Sequence, residues 1–279
     1  MKKNVILLFL IGFLWSCSSS DDNSQYDNNV ALELANVAYG TDERQVMDVY
    51  LPAGRDEDTK VIILIHGGAW VGGSKEDFAY AVPLIRSQFP DHAIVNINYR
   101  LATPESPAYP KQIDDIKDVI QHLENNGYNI SDDYAFIGAS AGAHLAMLYS
   151  YAFDTDNDVK AVCNIVGPAD FTDPAYTSNP LYNYAAINLT GSNNPSQSLI
   201  EEVSPITHIT SQSPPTIMFY GGQDPLIPSS QGPLLRDALT EAGVYNEYNF
   251  YPDGGHGDWN QIIMAEVYNK MTTFLQEQL

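Results

Sequence analysis

Basic residues are scarce in this sequence. The 279-residue chain contains 13 Lys and Arg against 35 Asp and Glu, which gives a formal net charge of -22 at pH 7. Such an acidic surface repels polyanions, because neutralising phosphates requires clustered cations. The composition therefore excludes nucleic acid as a partner and excludes electrostatic docking on anionic lipid.

Cysteine is nearly absent as well, since the chain holds only Cys17 and Cys163. Cys17 falls in the leader described below, so we expect no internal disulfide. No zinc-ligand spacing and no phosphate-binding glycine loop occurs in the sequence. Residues 154–158 begin like a calcium loop, but Val159 replaces the required glycine and Ile165 the bidentate glutamate. We therefore expect neither a metal ion nor a cofactor.

No apolar run is long enough to cross a bilayer comfortably. The run Val5–Leu14 follows Lys2 and Lys3 and has the length and flanks of a signal-peptide core. It leads into Leu-Trp-Ser-Cys at 14–17, which resembles a bacterial lipobox. The resemblance implies a lipoprotein signal peptide over residues 1–16.

The leader pattern also predicts where the protein resides. Cys17 becomes the lipidated first residue, and the polar residues 17–29 form a flexible tether. Several acyl chains anchor a protein firmly. We expect a bacterial cell-envelope protein on the outer membrane, facing the periplasm or the surface, that contacts the membrane through this lipid anchor only.

From residue 30 onward, short apolar runs alternate with amphipathic stretches. Val61–Ile65 and Ala93–Ile97 are continuous apolar runs, typical of strands buried on both faces. Apolar residues recur at helical spacing over 78–85, 113–123 and 234–239. This alternation predicts an α/β fold over 30–279, with a mostly parallel central sheet and helices on both faces. The expected strands are 46–51, 61–65, 93–97, 134–137, 159–166, 216–220 and 245–251.

The sequence Gly-Ala-Ser-Ala-Gly at 138–142 lies between a predicted strand and a predicted helix. In this context Gly-x-Ser-x-Gly forms a turn so tight that the residues two before and two after the serine must be small. Ser140 is then held in a strained conformation, with its hydroxyl exposed at the N-terminus of the following helix. The pattern predicts that Ser140 is a nucleophile.

Ser140, Asp224 and His256 each follow a predicted strand, in the chain order of an α/β-hydrolase triad. A serine hydroxyl needs an imidazole to take its proton, and the imidazole needs a carboxylate to fix its tautomer. The glycines on both sides of His256 favour it over the other five histidines, and we expect His144 to hydrogen-bond locally. Alternatives to Asp224 are the four residues Asp253, Asp258, Asp170 and Asp173.

Five segments together resemble the α/β-hydrolase esterases of the hormone-sensitive-lipase and feruloyl-esterase-like group. The resemblance spans about residues 30–279. Ala69 stands where the third glycine of His-Gly-Gly-Gly is usual, and Ala139 where the lipase group often has Asp. The chain therefore resembles the feruloyl-esterase-like branch more. The segments are His66-Gly67-Gly68-Ala69-Trp70, Tyr99-Arg100-Leu101-Ala102, 138–142 with His144-Leu145-Ala146, Asp224-Pro225-Leu226 and Gly255-His256-Gly257.

The resemblance implies an activity and an oxyanion hole. The hole is formed by backbone N–H groups of Gly67 or Gly68, with Ala69, and of Ala141. The implied function is a serine carboxylesterase that hydrolyses small acyl or aryl esters, acetylated or feruloylated glycans among them, through an acyl-enzyme. Amide or peptide hydrolysis by the same triad is the alternative.

Residues 168–195 interrupt the alternation of strands and helices. The stretch contains Tyr176, Tyr182 and Tyr184 and is rich in Asn. Long ordered connections of this kind are usually functional. We therefore predict a small cap within about 168–195 that forms part of the substrate pocket.

Overall fold

The computed structural model describes residues 26–279. The predicted signal peptide 1–16, Cys17 and most of the predicted tether lie outside the described residues. Within 26–279, no helix has both the length and the apolar character that a membrane span requires.

Eight strands of the described chain form one sheet. Every residue of Val61–Ile65 and Ala93–Ile97 is buried, as their continuous apolar character predicts. The strands are β1 (Leu32–Ala38), β2 (Val46–Leu51), β3 (Val61–Ile65), β4 (Ala93–Ile97), β5 (Tyr134–Ala139), β6 (Val159–Ile165), β7 (Thr216–Gly221) and β8 (Asn246–Tyr251).

The strand order is β1-β2-β4-β3-β5-β6-β7-β8. Strand β2 is antiparallel to both of its neighbours, and all other pairs are parallel. The carboxyl ends of β3 to β8 therefore lie at one edge of the sheet. This confirms the predicted α/β-hydrolase fold.

Helices cover both faces of the sheet. Alternate residues of β3 enter two different cores, because successive strand side chains point to opposite faces. Helices α2, α3 and α7 pack in one core, and α1 and α8 in the other. The helices are α1 (Val82–Gln88), α2 (Lys111–Asn125), α3 (Ala141–Ala152), α4 (Pro174–Thr177), α5 (Tyr182–Thr190), α6 (Gln197–Glu202), α7 (Gln231–Glu241) and α8 (Gln261–Gln278).

Two elements differ from the sequence predictions. Strand β1 was not predicted, because it is a half-exposed edge strand that is interrupted by a bulge between Leu34 and Val37. The predicted helical face over 78–85 is divided in the structure into a 3₁₀ turn, Lys75–Phe78, and the short helix α1.

The predicted cap region contains two helices, α4 and α5. We call residues 174–190 the cavity wall segment, because several of them line a cavity that is described below. Backbone N–H groups of Ala108 and Tyr109 donate to the carbonyls of Asn188 and Leu189, both at 2.9 Å. These bonds attach the end of α5 to the loop before α2. The segment thus follows the carboxyl end of β6 and extends towards the loop before α2.

Candidate active site

The 138–142 turn has no space for side chains at its two glycines. A Cβ on Gly138 would lie 2.5 Å from Ala143 Cα, and one on Gly142 would lie 2.0 Å from the carbonyl oxygen of Ile65. Between them Ser140 has φ 52° and ψ -118° and occupies the N-cap position of α3. The structure therefore has the strained turn that the sequence predicts, held by close packing on β3.

Ser140, His256 and Asp224 meet at the carboxyl edge of the sheet. Nε2 of His256 lies 2.8 Å from Oγ of Ser140, and Nδ1 of His256 lies 2.7 Å from Oδ2 of Asp224. The Asp224 side chain is 1% exposed. Its other oxygen, Oδ1, accepts the N–H groups of Leu226 and Ile227 at 2.8 and 3.0 Å. The carboxylate is therefore fixed on both oxygens.

None of the four alternative acids contacts His256. Asp253 and Asp258 are exposed in the histidine loop. Asp173 is buried, but it accepts hydrogen bonds from Ser230, Gln231 Nε2 and a helix N-terminus. Asp170 forms an exposed turn with Thr172.

The loops after β7 and β8 interlock through glycines. A Cβ on Gly221 would lie 2.3 Å from the carbonyl oxygens of both Gly254 and Gly255. Nε1 of Trp259 donates to the carbonyl of Gly255 at 3.0 Å. Because the two backbones touch, Asp224 and His256 are held in one rigid unit.

The 66–73 loop carries left-handed backbone at three successive residues. Gly68, Ala69 and Trp70 have φ of 114°, 50° and 66°. The carbonyl of Trp70 accepts the N–H of Ala102 and Nε2 of Gln112, both at 2.8 Å, so tertiary contacts impose this shape. Within residues 26–279 the Ala69 N–H donates to no other group.

A cavity lies beside Ser140, and the residues of this loop differ in their contact with it. Ala69 and Ala141 line the cavity, whereas Gly67 and Gly68 do not. As the first residue of α3, Ala141 has no intrahelical acceptor for its N–H. Of the four residues predicted for the oxyanion hole, the structure brings two to the cavity surface.

His66 supports the loop from inside. Its Nδ1–H donates to the Gly67 carbonyl at 2.7 Å, its Nε2 faces Nη2 of Arg44 at 3.4 Å, and its ring stacks on Tyr99 with centroids 4.1 Å apart. Burial lowers the pKa of His66 to about 4, with the Arg44 charge acting in the same direction. The neutral ring therefore stabilises the loop.

His144 links the 66–73 loop to α3. Trp70 Nε1 donates to Nδ1 of His144 at 3.2 Å, and Nε2–H of His144 donates to the Val203 carbonyl at 2.8 Å. Burial lowers the pKa of His144 to about 4. The expectation of a local hydrogen bond is wrong, because both partners are distant in sequence. Sequence reasoning missed this positioning role, whose only signal was a histidine one turn after the serine.

A cavity of about 250 Å³ opens beside Ser140. The 66–73 loop and the start of α3 form one side, the cavity wall segment forms the other, and Leu226 and Ile227 close the gap between them. The lining residues, all within 26–279, carry no charge. The site therefore suits an uncharged, partly apolar group. Elsewhere in this range, no group of three His, Cys, Asp or Glu side chains is placed to bind a metal ion.

Comparisons with known proteins identify a family and several relatives. The BD-FAE family model matches residues 47–239. Esterase LipC of Mycobacterium tuberculosis is 29% identical over 79% of this chain, and the chain spans 59% of the length of LipC. A kynurenine formamidase of Salmo salar is 30% identical over 46% of this chain and is covered over 42% of its own length.

Solved structures share the fold. A structure described as a truncated carbohydrate esterase from gut microbiota superposes with a TM-score of 0.72 at 24% sequence identity. The match covers 91% of this chain and 98% of that one.

Proposed function

Because the chain belongs to the BD-FAE family, we propose that it is a serine carboxylesterase that hydrolyses small acyl or aryl esters. The observation that carries the proposal is the continuous hydrogen-bonded chain from Asp224 through His256 to Ser140, with the serine at an uncharged cavity. Esterase LipC, which resembles the chain over most of its described length, supports the same activity.

In this proposal His256 acts as the base. Its Nδ1–H donates to Asp224, which leaves Nε2 free to accept the proton of Ser140 as the hydroxyl attacks the ester carbonyl. The protonated imidazole, stabilised by the carboxylate, then gives its proton to the leaving alcohol. In the second half of the reaction, His256 takes a proton from water, which attacks the acyl-enzyme. The protonated ring then returns the proton to Oγ of Ser140 as the acid product leaves.

The oxyanion of the tetrahedral intermediate needs preformed donors. We assign this role to the N–H groups of Ala69 and Ala141, because both residues line the cavity beside Ser140. One such donor contributes roughly 2.7–4 kcal/mol to catalysis. Gly67 and Gly68 then shape the loop, since a Cβ on Gly68 would lie 2.2 Å from the Gly72 carbonyl oxygen.

The size and lining of the cavity favour a small substrate group. Trp70 and three tyrosines supply aromatic surface, which fits an aryl or short acyl group better than a long chain. The structural neighbour described as a carbohydrate esterase supports carbohydrate esters as the class, within which the sequence analysis expects acetylated or feruloylated glycans. The tyrosine-bearing residues 168–195 would then act as a cap.

Amide hydrolysis by the same triad is a second candidate. It is favoured by the similarity to a kynurenine formamidase, which covers under half of the chain. Matched substrates distinguish the two functions: an aryl acetate, the corresponding acetanilide and an N-formyl aniline. A carboxylesterase hydrolyses the ester far faster than either amide.

The direct test of the mechanism is covalent labelling. A fluorophosphonate should label the wild-type protein once, and mass spectrometry should find the adduct on the peptide containing Ser140. Labelling elsewhere, or no labelling in a folded sample, would contradict the proposed nucleophile.

We also propose that the protein is attached to the cell envelope through lipid on Cys17. The support is the order of basic residues, apolar run and lipobox at residues 2–17. Cys17→Ser should move the protein from the membrane fraction to the soluble or unprocessed fraction, while the esterase activity of the purified domain stays the same. Equal partitioning of the two forms would contradict lipidation.

A further inference from the structure

The hydroxyl of Tyr176 lies in the cavity lining without a hydrogen-bond partner. Tyr176 is 4% exposed, and its hydroxyl makes no hydrogen bond within residues 26–279. It differs from Tyr134, whose partnerless hydroxyl is sealed from solvent. The Tyr176 hydroxyl is slightly accessible, and the space that it faces is the cavity.

The Tyr176 ring is held in a fixed position. It makes edge contacts with Phe171 and Tyr182, with ring centroids 5.2 and 5.9 Å apart. Asp173 caps the N-terminus of helix α4, which carries Tyr176, and its carboxylate accepts a hydrogen bond from the buried Gln231. The hydroxyl therefore cannot easily turn away to find another partner.

The other two phenols of the cavity are in different surroundings. Tyr184 is 54% exposed and Tyr182 is half-buried, so water can reach both hydroxyls. A buried hydroxyl without a partner is unfavourable, and a ligand atom that supplies the partner removes this penalty. Of the three phenols that line the cavity, Tyr176 is therefore the one whose hydroxyl would gain its missing hydrogen bond from a bound ligand.

Charge restricts what this ligand atom can be. Burial, followed by the neighbouring Tyr182 and Asp224, raises the pKa of Tyr176, so the phenol is protonated at neutral pH and can donate. The Asp224 carboxylate and the absence of cations among the lining residues disfavour an anion. The matching group is an uncharged acceptor oxygen.

We propose that Tyr176 determines specificity by donating a hydrogen bond to an uncharged oxygen atom of the substrate, in the acyl or alcohol group that fills the cavity. This inference rests on the proposed esterase function. It predicts a preference for esters that carry an ether, hydroxyl or carbonyl oxygen in that group, because a site built to donate this bond discriminates against an analogue that lacks the acceptor.

Pairs of esters that differ by one methylene-to-oxygen exchange test the proposal. Acyl pairs are p-nitrophenyl pentanoate against its 3-methoxypropanoate and ethoxyacetate analogues, and the alcohol pair is butyl acetate against 2-methoxyethyl acetate. Tyr176→Phe should lower kcat/KM for an ether member by about five- to tenfold. It should change kcat/KM for the methylene member by less than about twofold. Tyr184→Phe, the matched control, should not discriminate between members of any pair.

Thermal stability separates recognition from a structural role. Tyr176→Phe should not lower Tm and should raise it slightly, because the hydroxyl has no partner to lose and its burial without one is unfavourable. Tyr220→Phe should lower Tm, because the buried Tyr220 hydroxyl donates to the Gly167 carbonyl and accepts from Asn164.

Equal effects of Tyr176→Phe on both members of every pair would overturn the proposal, as would a loss of Tm like that of Tyr220→Phe. If the wild-type protein hydrolyses none of these esters and takes up no fluorophosphonate, the esterase function itself fails. A wild-type enzyme that is labelled at Ser140 and hydrolyses both members equally rejects only the role of Tyr176.

Discussion

The two sides of the cavity differ in how tightly they are held. On the Ser140 side, Trp70, Ala141 and His144 are buried, and three non-glycine residues at the site have positive φ. On the other side, the cavity wall segment exposes large apolar side chains, with Leu181 at 46% and Ile187 at 39%.

Under the proposed function, this contrast separates chemistry from recognition. Donors that stabilise a transition state must be in place before the reaction, which requires strained backbone that is fixed by packing and hydrogen bonds. A surface that accepts different substrate groups gains from weaker packing, and such regions have low local stability. We therefore expect substitutions on the Ser140 side to lower kcat and those on the wall segment to raise KM.

The largest expected effect is at the proposed nucleophile. Ser140→Ala should lower kcat by on the order of 10⁶, because within residues 26–279 no other hydroxyl hydrogen-bonds to His256. The side chain is small and takes no part in packing the glycines of the turn, so Tm should be unchanged. Activity within about tenfold of the wild type would remove Ser140 from the mechanism.

Asp224→Asn should have the next largest effect on kcat. The N–H groups of Leu226 and Ile227 hold the amide oxygen, which turns the amide NH₂ towards Nδ1 of His256. The ring must then carry its proton on Nε2 and cannot accept from Ser140, so kcat should fall by about 10⁴.

Asp253→Asn and Asp258→Asn are the controls for this variant, since both side chains are exposed in the same loop as His256. Each should stay within a few-fold of the wild-type kcat on one soluble aryl ester. If one of these controls lost its activity while Asp224→Asn stayed active, the acid of the triad would be assigned to the control residue instead.

The tightly held side should also be sensitive to acid. His66 and His144 have a pKa of about 4 in the folded chain, below the ordinary value of 6.5. Between these values the unfolded chain binds protons that the folded chain does not, so the free energy of unfolding falls as pH falls from 6.5 to 4. The loss is on the order of 3 kcal/mol per ring at most.

His144→Gln isolates this contribution, because its amide can accept from Trp70 and donate to Val203 without titrating. Denaturant unfolding at pH 7 and pH 4.5 should show a smaller pH dependence for this variant than for the wild type. An unchanged pH dependence in His144→Gln would contradict the buried neutral ring.

The smallest effect is expected on the wall segment. Leu181→Ala removes part of an exposed apolar surface at the cavity, so KM for an aryl ester should rise by roughly two- to fourfold with kcat unchanged. A fall in kcat with constant KM would instead mean that this segment positions the reacting groups, and the contrast between the two sides would disappear.

The features that the sequence predicted are local. Continuous apolar runs marked β3 and β4, alternation of apolar and polar residues marked β2, and the small residues around Ser140 marked the turn. Asp224 and His256 were predicted from their positions after strands, because a parallel sheet brings strand ends to one edge. Strand β1 was missed, since a half-exposed edge strand with a bulge has no clear alternation.

Long-range contacts account for what the sequence did not predict. The indole of Trp70 and the ring of His144 are 74 residues apart along the chain. The positive φ values of Ala69 and Trp70 oppose local preference and arise from bonds made by Ala102 and Gln112. Such partners become visible only when the fold brings them together.

The thiol of Cys163 can report on local unfolding of the sheet. The thiol is fully buried in β6, in register with Ile137 and Ile217 of the neighbouring strands, and burial raises its pKa. A thiol reagent therefore reacts only with molecules whose sheet has separated. In a Cys17→Ser background Cys163 is the only thiol, so its rate of modification measures the free energy of that separation without any introduced label.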